Sequence, residues 1–119
     1  MRFEERELKP YAEPVTASEL KEGEVYFAVN YVDNKTLIPT IETLVFAGRN
    51  LDPDDVGKVY FQDIDSYLQG IRHDSASEDD HIMLSCGSEN ETKHIFTFEN
   101  ALNELMKCAL RRRKAENGG

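Results

Sequence analysis

Between Val25 and Val32 the chain alternates with a period of two. Val25, Phe27, Val29 and Tyr31 form one set, Tyr26, Ala28, Asn30 and Val32 the other, and both sets are largely apolar. A strand covered on both faces has this pattern, whereas a solvent-facing strand alternates more cleanly. A polar turn, Asp33-Asn34-Lys35, leads on to the uniformly apolar run Leu44-Val45-Phe46-Ala47, which predicts a second central strand. Pro39 cannot donate to a ladder, so the paired part of that strand is expected to begin near Ile41. An acidic turn region from Gly48 to Asp55 precedes a third strand, starting at Gly57-Lys58-Val59-Tyr60-Phe61.

Residues Asp63 to Gly70 predict a short helix, with Asp63 as its N-cap and Gly70 as its stop. His81–Cys86 and Lys93–Phe96 read as the strands of a second hairpin. Centred on Asn90, that hairpin sets Ile82 against Phe98, Leu84 against Phe96 and Cys86 against His94, which keeps its large apolar residues on one face. The periodicity then becomes helical: Phe98, Leu102, Leu105, Met106, Ala109 and Leu110 form one stripe, with Asn100, Asn103, Glu104, Lys107 and Arg111 opposite. Thr97 can cap this helix, Glu99 suits its positive end, and Arg111-Arg112-Arg113-Lys114 suits its negative end.

An apolar helical stripe needs a surface to cover, and the sheet supplies one. The expected architecture is α+β: a small, mostly antiparallel sheet of about five strands with a C-terminal helix packed on one face. Leu20-Lys21-Glu22-Gly23 leading into a strand is a common entry to small β-barrels, so a barrel-like sheet is one form of this expectation. With 119 residues the chain makes one domain. Residues 18–114 are expected to form it, residues 1–17, with Pro10 and Pro14 among charges, an extended or loosely attached arm, and residues 115–119 a frayed tail.

Charge narrows the choice of partners. The net charge of −9 combines 14 basic with 23 acidic residues. Four of the basic residues are Arg111 to Lys114, and Glu116 lies beyond them, so residues 1–110 hold 14 − 4 = 10 basic and 23 − 1 = 22 acidic residues, a net of −12. Such a body repels phosphate backbones, which argues against nucleic acid, and attracts basic proteins, although the same charge also serves plain solubility. The segment Met1 to Pro14 has no hydrophobic core of a secretory signal, and no stretch approaches the ~20 apolar residues that span a bilayer. The expectation is a cytoplasmic protein, monomer or homodimer, with no membrane partner and with Cys86 and Cys108 as thiols.

Candidate chemistry is sparse. Phosphate-binding glycine loops, H-E-x-x-H, C-x-x-C and G-x-S-x-G are all missing, and no cofactor is expected. The opposed Cys86 and His94 have the residue types of a thiol nucleophile and its base, against a structural reading in which both close the turn end of a core face. Asp63 and Asp65, near Tyr67, have those of an acid–base pair, although helix capping accounts for Asp63. His73, Asp74, Glu78, Asp79, Asp80 and His81 share one loop and are competent metal ligands, but a flexible acidic loop does not preorganise them, so no metal site is expected. Asp54, Asp55, Glu78, Asp79 and Asp80 are the acidic turn residues expected to meet a basic partner.

By elimination the expected function is a non-enzymatic, intracellular protein-interaction or regulatory domain acting through its acidic surface, in its sharper form an inhibitor or immunity-type protein that neutralises a basic enzyme. The alternative is a small enzyme or ligand-binding barrel using Asp, Tyr and His side chains, or Cys86 with His94. A deep pocket of convergent polar groups favours the second, an open acidic face the first.

Overall fold

The computed structural model describes residues 1–2, 4–75 and 81–118. The strands are β1 (Val25–Tyr31), β2 (Pro39–Arg49), β3 (Lys58–Asp63), β4 (Leu84–Ser88) and β5 (Ile95–Phe96). The helices are α1 (Ile64–Leu68) and α2 (Phe98–Gly118), with a 3-10 turn at Ala17–Glu19. Every strand pair is antiparallel, in the order β4-β3-β2-β1-β5. The chain is therefore α+β, with a five-stranded antiparallel sheet and a C-terminal helix packed on it. The sheet does not close into a barrel; β4 and β5 are its two edges.

The alternation along β1 becomes two cores. Tyr26 and Ala28 join Leu44, Phe46, Val59, Phe61 and Ile95 on one face, roofed by Val15 and Leu20. Phe27, Val29 and Tyr31 turn to the other face, where Phe96, Ala101 and Leu105 of β5 and α2 cover them. Val45 and Phe46, 1% and 0% exposed, are the most deeply buried large side chains of β2. Each contributes roughly 1.5–3 kcal/mol of transfer free energy. Pro39 is the first residue of β2, opposite Tyr31, where a missing N–H interrupts no ladder, so the strand starts two residues before Ile41.

Past the Phe46–Phe61 pair the ladder resumes at Gly48–Tyr60, leaving Ala47 as a bulge. Gly48 has φ +144°, and a Cβ there would lie 2.9 Å from Leu51 Cδ2 and 3.3 Å from Glu22 Oε1. The two side-chain ends can shift, but the dihedral is one that L side chains rarely adopt, and it calls for glycine.

One expectation of pairing is corrected. The second hairpin does not form: β4 pairs with β3 and β5 with β1, so three strands separate them. Leu84 lies opposite Gln62, Phe96 opposite Phe27, and Phe98 is helical. Two tight turns, closed by Glu91 N–H to Ser88 O and Ile95 N–H to Thr92 O, carry the chain from one edge to the other. The end of the arm is tied to β5. Val15 N–H donates to Ile95 O at 2.8 Å, and the buried Thr92 hydroxyl donates to Val15 O at 2.9 Å. At the other end, α2 continues through Gly118.

The orientation of α2 is also unexpected. Thr97 caps it, its Oγ1 accepting from Asn100 N–H, but the buried positions are Ala101 and Cys108. Phe98 is 66%, Leu102 37% and Leu110 51% exposed. The two small residues, seven apart, face the protein, Ala101 in the second core and Cys108 against the turn between β1 and β2.

Candidate functional site

The candidates named from sequence do not converge. Cys86 is exposed on β4, opposite Tyr60. His94 is exposed just before β5 at the other edge, its carbonyl accepting from Val29 N–H. Asp63 is the N-cap of α1: its carboxylate accepts from Ser66 N–H at 3.0 Å, Ser66 Oγ at 2.6 Å and Met83 N–H at 2.8 Å. Desolvation pushes the Asp63 carboxyl up, but these hydrogen bonds outweigh it and hold the group below the usual range. Asp65 is exposed in the first turn of α1 and does not share that network. Asp54 is exposed, whereas Asp55 accepts from Tyr60 OH and from Asp52 N–H. That acceptor, then the Cys86 thiol, raise the Tyr60 phenol above its ordinary value. Glu78, Asp79 and Asp80 lie outside the described residues. Among the described residues no three His, Cys, Asp or Glu side chains are grouped to hold a metal ion, and no helix is long and apolar enough to cross a membrane.

A cleft of about 310 Å³ lies beside the bulge, walled by Glu22, Gln62, Tyr67, Arg72, His73 and Asp74. Its main polar side chains are engaged in holding the fold. Gln62 Nε2 donates to Ser66 Oγ at 2.9 Å and to Ile71 O at 2.7 Å. The Arg72 guanidinium stacks 3.7 Å from the Tyr67 ring and donates to Tyr67 O at 3.0 Å.

The most connected polar cluster was not foreseen. Tyr31 OH, at the end of β1, donates to Glu104 of α2. Arg111 Nη2 donates to Tyr31 OH at 2.7 Å and to Glu104 Oε2 at 3.2 Å, and Arg111 Nε donates to Thr36 O at 3.1 Å. The Cys108 thiol faces the carbonyls of Thr36 and Leu37 at 3.7 and 3.6 Å. Burial first, then the bond to Glu104, push the Tyr31 phenol above its ordinary value. This cluster pins α2 to the β1–β2 turn. The i, i+7 spacing of Glu104 and Arg111, in step with Ala101 and Cys108, was the signal in the sequence.

The opposite flank of α2 is open. Arg6 reaches Glu99 in a 2.6 Å ion pair and brings the arm alongside the start of the helix. Between them runs a groove of about 910 Å³ lined by Glu4, Glu5, Arg6, Glu99, Leu102 and Met106. Its floor is apolar, and three of its six lining residues are glutamates. Residues Glu7 to Glu13 lie along Asn100, Asn103 and Lys107, so the arm crosses α2 before Val15 docks. Farther along the helix, Leu110 is flanked by Arg113 and Lys114 in a second, shallower concavity. Comparison with protein families, with curated proteins and with solved structures finds no match.

Proposed function

We propose that this chain is a protein-interaction domain that recognises a basic, amphipathic segment of a partner. The observation that carries this reading is the groove beside α2, where Leu102 and Met106 form an apolar floor between Glu4, Glu5 and Glu99. A helix presenting apolar residues every three or four positions, with Lys or Arg at their flanks, matches the floor and the rim together. The net charge of −12 over residues 1–110 adds a long-range attraction that speeds encounter and weakens with salt. In this reading the basic segment meets the helix flank rather than the Asp54–Asp55 turn.

The test is fluorescence anisotropy with a labelled Leu/Lys/Arg amphipathic peptide and its Glu-substituted counterpart. Binding of the basic peptide with a Kd of about 1–100 µM, tightening at low salt, supports the reading. Leu102→Asp should weaken it tenfold or more. Equal affinity for both peptides, or binding unchanged by Leu102→Asp, overturns it.

A further inference from the structure

The exposed flank of α2 has two unlike ends. Its N-terminal half holds Leu102 and Met106 with Glu99, Glu4 and Glu5, three carboxylates against the one guanidinium of Arg6, which is paired with Glu99, and its C-terminal half holds Ala109 and Leu110 with Arg113 and Lys114. Glu99, Leu102, Met106, Ala109 and Arg113 are spaced three, four, three and four apart, the spacing of a seam between paired helices. The last turns, from Arg112 to Gly118, are fully exposed, so the basic end stands clear of the sheet.

An interface between two copies related by a two-fold axis must be complementary to itself. This flank satisfies that condition only when the helices run antiparallel. With Met106 opposite its own symmetry mate, paired positions sum to 212: Leu102 faces Leu110, and Glu99 faces Arg113. The acidic half of each helix then lies on the basic half of the other, and Leu110 of each copy enters the other's glutamate-rimmed groove. A parallel pairing would set Arg113 against Arg113 and Glu99 against Glu99. We propose that the occupant of the groove is the basic C-terminal half of α2 from a second copy, giving an antiparallel homodimer. This rests on the groove reading above and names its partner.

Sedimentation equilibrium of the full chain at about 0.15 M salt is the experiment. The expected result is a species of twice the 13.6 kDa chain mass that dissociates as salt is raised. Glu99→Arg and Arg113→Glu should each weaken the dimer tenfold or more, and the two combined with Arg6→Glu should restore it, because the triple exchange recreates both the Arg6–Glu99 pair and its contact with residue 113 with reversed sign. Leu102→Asp should give a monomer whose far-ultraviolet circular dichroism is unchanged, since the position is already exposed. A wild-type chain that stays monomeric at hundreds of micromolar overturns the proposal, as does a dimer indifferent to the charge reversals. A peptide copying residues 106–118 separates this from the parent reading: a monomeric chain that binds the peptide overturns the dimer and leaves the groove as a site for basic segments. A monomer that binds neither this peptide nor the designed one overturns both.

Discussion

The two flanks of α2 reverse what their composition suggests. One carries Glu104 and Arg111 and is closed against the protein, while the other carries Leu102 and Leu110 and is open to solvent, with Phe98 at its border, edge-on to Phe27. Polarity alone does not decide which side of a helix goes inward. Glu104 and Arg111 can be half-buried because Tyr31 OH and Thr36 O complete their hydrogen bonds, and a satisfied polar group loses little by leaving water. Of the apolar stripe, Leu105 and Phe98 pack on the second core beside Ala101, while Leu102 and Leu110 stay outside it.

The sharpest way to break the contrast is Glu104→Ala. It leaves the Tyr31 hydroxyl and the Arg111 guanidinium without their shared acceptor. The expected loss is about 2 kcal/mol in urea unfolding, after discounting for solvent at Arg111, whose side chain is 35% exposed. A loss below about 0.5 kcal/mol would mean that the closed flank is held by packing alone.

A pH series isolates Tyr31. Its folded pKa is raised, so its contribution is fully present below the unfolded value near 10 and is lost as pH rises beyond it, because the unfolded chain ionises first. Tyr60 is raised as well and adds a slope of the same sign. Tyr31→Phe should therefore lose less of its urea midpoint between about pH 8 and pH 10.5 than the wild type does. Identical slopes would remove Tyr31 from the alkaline response.

The smallest expected effect is on the open flank. Leu110→Ala, measured at protein concentrations too low for self-association, should change folding stability by no more than about 0.5 kcal/mol. A larger loss would show that Leu110 packs on its own body.

Local patterns in the sequence were dependable where they depend on a few neighbouring residues. The two-sided alternation of β1, the apolar run of β2 and the Asp63 cap all stand as read, since each follows from side-chain period or from a cap three residues away. The acidic groove was legible only as an excess of charge. Its place depends on the arm crossing α2, and that crossing is fixed by contacts such as Arg6 with Glu99, 93 positions apart. The hairpin register failed for a related reason. It assumed that neighbours in sequence pair with each other, whereas two turns deliver β5 to the free edge of β1. Cys86 and His94 were separated by that change alone. Counting apolar residues likewise misjudged the rotation of α2, whose buried positions are Ala101 and Cys108.

The bond from the Thr92 hydroxyl to Val15 O joins residues 77 positions apart and has a consequence for synthesis. β1, β2 and β3 leave the ribosome as a local meander, but the outer edge of β1 and the roof at Val15 wait for residues 92–96, and the second core waits for α2. During that interval the nascent chain exposes an unpaired strand edge and the uncovered side chains of Phe27 and Val29, the surface on which chains associate wrongly. Completion of both cores therefore waits on residues 92 and beyond, and closing this long loop carries an entropic cost that local strand pairing does not.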